Sequence, residues 1–486
     1  MSIKTHTFDN GFRIIYEKPN NNTPLSSIQL FCDVGSVHEY DGIRGASHFI
    51  EHMCFKGTKR FPQSKDILLS FDKLGAEFNA YTEKRMTCYH INCDKEHIDN
   101  CIQLISDMLL NSIFDKKEYK KEYEVVLEEN IRNENDPDVI ADENLDTLLY
   151  KGSSYEFHID NINFHKIPLK YKDVLEYYNK FYIPNRFVLS IASNISFDKI
   201  ISFVKKSYFM KNNNTNITPL HICNAQSVSP RSLITAHIVG VLNVQRCNKE
   251  ILLPRSINLN IEPQNEIQYN LHKKVGIVTT VLYIGFRTCN DLCIDKYSLK
   301  LLNTMFDGLS GKLSILLREN NGLTYTSSVS VNFYENIGDF VISAETDSKK
   351  LLKNGNKKGV LPLIIELLND LITKGVTNKE VEMAKKIKFE KMNISNQDSY
   401  TLAEHNGKEM LLYGDNHSFV SHSDLFDTYY KDLNKTDINN VIQKYFIPTN
   451  MSVSIVGEEI PSLHVVKTEC EKLQNTKYKI QNTKHT

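Results

Sequence analysis

The residues of this sequence best suited to chemistry are two histidines with a glutamate between them. They lie in RGASHFIEHMCFKGT, residues 44–58, as His48, Glu51 and His52. On an α-helix, residues four apart share a face, so both imidazoles could reach one tetrahedral zinc ion. Glu51 falls beside them, where its carboxylate can contact a zinc-bound water without binding the metal. The alternative is a partly buried helix with two hydrogen-bonded histidines; we favour the metal site because Glu51 is correctly placed.

A catalytic zinc site needs a third protein ligand, and a later charged helix offers candidates. EYKKEYEVVLEENIRNENDP, residues 118–137, carries Glu122 and Glu129 seven residues apart and hence on one face. Glu128 points about 100° away from Glu129 on the same helix. Spacing alone does not choose between Glu128 and Glu129, and a charged, solvated helix surface is the alternative to a metal-binding one.

An internal repeat in the chain indicates the domain organisation in which these helices lie. FYIPNRFVLSI from Phe181 resembles YFIPTNMSVSI from Tyr445, at an offset of 264 residues. CIQLISDMLLNSIFDKKE from Cys101 resembles LIIELLNDLITKGVTNKE from Leu363, at offsets of 262 to 263 residues. A period this long is typical of two homologous domains and not of a solenoid.

The predicted fold class is α+β, because strands cluster along each half and do not alternate strictly with helices. We expect two homologous domains from an internal duplication, each a mostly antiparallel or mixed sheet packed against helices. The predicted domains are an N-terminal zinc-binding catalytic domain at 1–215, a linker region at 216–264, a C-terminal homologous domain without zinc ligands at 265–470, and a polar tail at 471–486.

Composition excludes several classes of partner. The net charge of -1 over 486 residues gives no bulk electrostatic attraction to nucleic acid. No run of about 18 apolar residues occurs, so we expect no membrane span. Ten cysteines without a CxxC pair indicate reduced thiols, and hence the cytoplasm or another reducing compartment. The mitochondrial matrix stays open, although the first residues form no evident transit peptide.

HFIEH is the inverted zinc motif HxxEH, and the chain resembles the inverzincin zinc peptidases of the pitrilysin/insulysin/mitochondrial processing peptidase family. Within it, the chain resembles the half-length branch that includes the mitochondrial processing peptidase beta subunit. That branch reads HFLEHxxFKGT and GAxxNAYT, where this chain has HFIEHMCFKGT and, at 75–82, GAEFNAYT. The family's third ligand closes a pattern like ERExVILxE, and ungapped alignment from NAYT places it on Glu129.

The resemblance implies a role for each candidate site residue. The implied ligands of one Zn²⁺ per chain are His48, His52 and Glu129. Glu51 would act as general base and then as general acid, and Glu122 would orient a ligand. Asn79 and Ala80 would lie on a strand that pairs with an extended substrate through backbone hydrogen bonds.

The second half of the chain lacks the zinc motif. No HxxEH occurs there, and the position that matches Glu129 at an offset of 262 is Lys391. RENNGLTY, which runs from Arg318 to Tyr325, resembles the family's RExxGLxY. The resemblance implies that Arg318 and Tyr325 contact the substrate; a helix-end ion pair and a packed ring are the alternative.

The implied function is that of a zinc-dependent metalloendopeptidase that hydrolyses peptide bonds in extended or unfolded peptides, with presequence-like targeting segments as one candidate class. The alternatives are a non-catalytic structural subunit of a larger complex, like the core proteins of this family, and a peptide-binding module. Full-length family members close four homologous domains around the substrate, whereas this chain has two. The resemblance therefore implies a homodimer, or a heterodimer with a related subunit.

Overall fold

A computed structural model of the chain describes residues 3–160, 168–211, 257–415 and 417–473. Most of the predicted linker, residues 216–256, and most of the predicted tail, residues 474–486, lie outside the described residues. The predicted limits of those two segments stay predictions.

Helices and strands are numbered in chain order. The strands are β1 Lys4–Thr7, β2 Arg13–Glu17, β3 Leu25–Cys32, β4 Glu77–Thr82, β5 Thr87–Asp94, β6 Phe187–Ala192, β7 Gln268–Lys273, β8 Thr280–Thr288, β9 Thr324–Phe333, β10 Gly338–Thr346, β11 Lys353–Asn354, β12 Lys357–Lys358 and β13 Met451–Gly457. The helices are α1 Ala46–Cys54, α2 Ser64–Asp72, α3 Ile98–Leu110, α4 Lys116–Asn133, α5 Pro137–Leu149, α6 Tyr171–Phe181, α7 Phe197–Lys206, α8 Tyr208–Lys211, α9 Asp295–Phe306, α10 Lys312–Ser314, α11 Val360–Lys374, α12 Asn378–Ser395, α13 Ser399–Tyr413, α14 Lys435–Tyr445 and α15 Leu463–Cys470. Within the described ranges, every helix is too short or too polar to cross a bilayer.

Eleven of the described strands form two mixed sheets, and β11 and β12 form a separate two-stranded sheet. The strand orders of the two mixed sheets are β1-β2-β6-β3-β5-β4 and β7-β13-β8-β10-β9. Among the described strands, β2 pairs with β6 in parallel, as β7 does with β13, and the neighbouring pairs are antiparallel. The central strands β6 and β13 are buried along their whole length, as expected for strands covered on both faces. The predicted α+β class is therefore confirmed.

The internal repeat is visible in the order of the elements. The strand order β2-β6-β3-β5-β4 of the first sheet corresponds position by position to β7-β13-β8-β10-β9 of the second. Helices α4 and α12 have 18 residues each and begin 262 residues apart. The predicted duplication is therefore confirmed by topology as well as by sequence.

The compact units of the protein exchange one helix each. Among the described residues, the first unit takes those of 1–127, 159–257 and 393–424, and the second takes the rest, with divisions falling inside α4 and inside α12. Helix α13, from the second half of the chain, packs on β2, β3 and β6, and α5, from the first half, packs on β7, β8 and β13. The predicted domain limits treated each half as one continuous stretch, because an amphipathic pattern does not say which sheet a helix covers.

A glycine leaves room for each exchanged helix. A Cβ at Gly407 of α13 would overlap the ring of Phe31 and lie 2.9 Å from Ser190 Cβ. In the second unit the glycine is on the strand: a Cβ at Gly285 of β8 would lie 2.8 Å from Leu149 Cδ1 of α5. Both contacts are closer than a side chain allows, so glycine sets the approach of helix to sheet.

Candidate metal centre

Helix α1 carries three of the predicted site residues and is held at two places. Its apolar face is buried in the core of the first unit and consists of Ala46, Phe49, Ile50 and Met53. At its N-terminus, the buried carboxylate of Glu39 accepts hydrogen bonds of 2.7 Å from the backbone N–H groups of Gly45 and Ser47. Helix-terminal N–H groups have no partner within the helix, so the two hydrogen bonds to Glu39 stabilise this end of α1.

The two imidazoles of α1 face each other through their Nε2 atoms, which lie 3.2 Å apart. Nδ1 of His52 lies 2.8 Å from Glu122 Oε1, and Nδ1 of His48 lies 2.9 Å from Asp160 Oδ1. Because a carboxylate only accepts hydrogen bonds, each Nδ1 donates to its carboxylate, and the Nε2 atom of each ring is turned toward the other ring. In its neutral form, an imidazole that donates from Nδ1 offers the lone pair of Nε2 to a metal ion. The arrangement therefore fits a cation-binding site.

Helix α4 supplies a third group of the kind that zinc binds. Its residues Glu122 and Val126 are buried, and Glu129 follows on the same face. One ligand atom from each of His48, His52 and Glu129 lies within 4.8 Å of the others. Neighbouring ligands of a tetrahedral zinc ion with bonds of about 2.0 to 2.1 Å are roughly 3.3 Å apart, and the imidazole nitrogens, 3.2 Å apart, match that spacing.

The adjacent Glu128 has a different environment. Its side chain is exposed and lines a cleft of the second unit. The geometry thus separates two glutamates that spacing left equivalent, although ligation by Glu129 stays a prediction. Across the described residues, His48, His52 and Glu129 are the one group of three potential ligands that meets this 4.8 Å separation.

Glu51 is placed to handle protons beside the imidazoles. Its side chain is largely buried, and Oε2 accepts a hydrogen bond of 2.6 Å from Thr82 Oγ1, at the end of β4. That bond fixes the orientation of the carboxylate. Since Glu51 lies on the same helix face as His48 and His52, the carboxylate is positioned to act on a group bound between the imidazoles.

Glu122 links one imidazole to a lysine. Its Oε2 accepts a hydrogen bond of 2.6 Å from Lys56 Nζ, while Oε1 faces His52. Burial favours the neutral form of Glu122, but the hydrogen bonds from His52 and Lys56 outweigh it, so the pKa of Glu122 lies below its ordinary value. The carboxylate is therefore ionised and fixed at both oxygens.

Strand β4, which contains Asn79 and Ala80, lies at an edge of the first sheet. It pairs with β5 on one side, and the described residues place no strand on its other side. Ala80 is partly buried against the core that also contains α1, and its neighbour Asn79 is exposed, as alternation along a strand requires. An open edge next to Thr82 and Glu51 suits the addition of an extended peptide. Contact of Asn79 and Ala80 with a substrate stays a prediction.

Arg318 and Tyr325 both line the cleft of about 1310 Å³ in the second unit. Tyr325 is 80% exposed, which contradicts the alternative of a packed ring. Arg318 Nε lies 3.7 Å from Glu319 Oε1, an ion pair between two exposed side chains that contributes little to stability. Both side chains are thus available to a ligand in this cleft, and their role in substrate binding stays a prediction.

Three residues of the site were missed in the sequence. Lys56 and Thr82 lie inside the quoted motifs HFIEHMCFKGT and GAEFNAYT, so these motifs were the sequence feature that could have identified both residues. Asp160 has no comparable signal, because it lies outside any helix or strand and 112 residues after His48. Only the folded chain brings that carboxylate to the imidazole.

Comparison with known proteins assigns the family. The model of the insulinase domain, peptidase family M16, matches residues 13–161, and the model of the peptidase M16 inactive domain matches residues 168–388. The chain belongs to the M16, or insulinase, family of peptidases. His48 and Glu129 lie in the insulinase domain. At an offset of 262 residues, the positions of the inactive domain that match Glu122 and Glu129 are Ala384 and Lys391.

Relatives within the M16 family include proteins named as zinc proteases. An uncharacterized zinc protease of Bacillus subtilis, YmxG, is 29% identical over 85% of this chain and 89% of its own length. The mitochondrial-processing peptidase subunit beta of Caenorhabditis elegans is 31% identical over 42% of this chain and 43% of its own length.

Solved structures show the same M16 fold. A protease from Helicobacter pylori superposes with a TM-score of 0.78 at 17% identity, over 94% of this chain and 99% of its own. The first half of the periplasmic protease PqqL from Escherichia coli gives a TM-score of 0.69 at 15% identity, over 98% of this chain and 97% of its own.

Proposed function

We propose that this M16 protein is a zinc-dependent metalloendopeptidase that hydrolyses peptide bonds in extended or unfolded peptides. The observation that supports it most is the pair of Nε2 atoms 3.2 Å apart, each imidazole backed by a carboxylate at Nδ1. His48, His52 and Glu129 would hold Zn²⁺, one ion per chain. Three protein ligands leave an open position, which is typical of catalytic zinc sites.

The residues around the ion would have separate roles in hydrolysis. When bound, zinc supplies Lewis acidity toward the scissile carbonyl and lowers the pKa of a water molecule to about 7. Glu51 accepts the proton of the attacking water and passes it to the leaving amine. Thr82 keeps the Glu51 carboxylate oriented for both transfers, and Glu122 holds His52 in the tautomer that presents Nε2.

The open edge of β4 would bind the substrate as an added strand. Backbone pairing at Asn79 and Ala80 gives affinity without strict sequence demands, which suits unfolded segments, including presequence-like ones. Arg318 and Tyr325 would also contact the peptide. A Tyr325→Ala variant should then show a higher KM with unchanged zinc content; an unchanged KM would remove Tyr325 from the binding surface.

A second subunit would complete the enzyme. Subunit beta of the mitochondrial-processing peptidase is by its name one part of a larger protein, and it is similar to this chain. We propose a homodimer or a heterodimer with a related subunit, in a reducing compartment. Light scattering combined with the cleavage assay tests this: a fully active monomer at micromolar concentration would contradict it.

Metal analysis and peptide cleavage test the proposed function together. Purified protein should contain one zinc ion per chain and cleave a quenched fluorescent peptide, and a chelator should abolish cleavage until zinc is restored. Glu129→Ala should lose zinc and activity, whereas the adjacent Glu128→Ala should keep both. A wild-type protein that binds zinc but cleaves no unfolded peptide would favour a structural or peptide-binding subunit.

A further inference from the structure

Each imidazole of the candidate metal centre contacts a carboxylate through its Nδ1 atom, but the two carboxylates lie in different surroundings. Glu122 reaches His52 Nδ1 from the interior of a helix, is 6% exposed at its side chain, and is itself held by Lys56. Asp160 reaches His48 Nδ1 from a segment outside any helix or strand, and its side chain is 21% exposed.

We propose that Asp160 is a positioning residue, which holds the His48 imidazole in the tautomer and orientation that metal binding requires. This inference rests on the proposed function, because it assigns a residue to the same metal site. The contact of 2.9 Å from His48 Nδ1 to Asp160 Oδ1 is as short as a charge-assisted hydrogen bond.

The physical reason is the freedom of the ring. A histidine ring can rotate about its side-chain torsions, and either nitrogen can carry the proton. A carboxylate at Nδ1 removes both freedoms, since it accepts from one nitrogen and leaves the lone pair on the other. Without Asp160, metal binding would have to supply more of the ordering of the His48 ring, and zinc affinity would fall by that cost.

Metal titrations of Asp160 variants test the inference with a readout that does not depend on activity. Metal-free protein is titrated with Zn²⁺ in competition with a chromogenic chelator, and with Co²⁺, whose visible absorption reports tetrahedral coordination. We expect D160A to raise the zinc Kd by about 10- to 100-fold and to change the cobalt spectrum. D160N should raise it by about 3- to 10-fold, because the amide oxygen still accepts a hydrogen bond but has lost the charge.

The control is Asp41→Asn, which removes an exposed aspartate that lies 3.9 Å from Arg44. Its zinc Kd should stay within about twofold of the wild-type value, because it has no contact with the ligand group. Circular dichroism and the melting temperature of the metal-free proteins show whether each variant folds. If D160A does not fold, D160N decides the question.

The outcomes separate this inference from the proposed function. A D160A variant with a wild-type zinc Kd and cobalt spectrum would overturn the role of Asp160 while leaving the zinc site intact. A lower melting temperature with an unchanged zinc Kd would also overturn it, since that is the result of a merely structural contact. A wild-type protein that binds no zinc would instead refute the proposed function itself.

Discussion

Replacing Lys56 by methionine should weaken zinc binding although no metal ligand is removed. Lys56 Nζ lies 2.6 Å from Glu122 Oε2, and Glu122 in turn orients His52. At an effective dielectric constant of about 20, unit charges at that distance attract by roughly 6 kcal/mol, and desolvation offsets most of this. Lys56 is also 26% exposed, so solvent screens the remainder. We therefore expect a rise in the zinc Kd of about 10- to 100-fold, or about 1.4 to 2.7 kcal/mol.

The assay is zinc competition against a chromogenic chelator, with Lys59→Met as the matched control. Lys59 lies three residues further along and is exposed, and methionine keeps the apolar length of either lysine. Lys56→Met should lose affinity and Lys59→Met should not. An unchanged zinc Kd for Lys56→Met, or an equal loss in both variants, would refute the idea that Glu122 needs its lysine to orient His52.

Two further predictions concern the frame that carries the site. Burial raises the pKa of Asp33, but the positive charges of Arg85 and Arg186 outweigh burial, and the pKa falls from 3.8 to about 2. The ionised carboxylate therefore stabilises the fold above pH 4, and this contribution is lost as the pH falls through 2. Asp33→Asn should cost about 3 to 5 kcal/mol at neutral pH by urea unfolding, and the difference from wild type should shrink between pH 4 and 2. Gly407→Ala should lower stability by about 1 to 3 kcal/mol in the same experiment, because the new methyl group overlaps Phe31, and a stabilised variant would contradict the close packing of α13.

Local patterns in the sequence were sufficient for the fold class and for the core of the site. His48, Glu51 and His52 share a helix face by spacing alone, and the repeated aromatic-aromatic-Ile-Pro strands predict the duplication that the two sheets display. These features are encoded within a few turns of helix or one strand, so they can be recognised in the sequence without knowledge of long-range contacts.

Features that depend on long-range contacts could not be predicted in this way. The amphipathic patterns of α5 and α13 show that each helix covers a sheet, but not that each covers the sheet built from the other half of the chain. The same limit applies to Asp160, whose segment has no helical or strand periodicity to direct it toward His48. Helical spacing alone also could not choose between Glu128 and Glu129, and the sequence-based choice of Glu129 came from the family resemblance; in the structure Glu129 lies near the imidazoles, whereas Glu128 lines the cleft.

The most direct test of the central claim is the cleavage rate of a zinc-loaded Glu51→Gln variant. Glutamine keeps the size of the side chain and its hydrogen bond from Thr82, but it cannot accept the proton of the attacking water. The variant should retain one zinc ion per chain and cleave a quenched fluorescent peptide about 10²- to 10⁴-fold more slowly than the wild type. A Glu51→Gln protein that holds its zinc and cleaves at the wild-type rate would contradict the account.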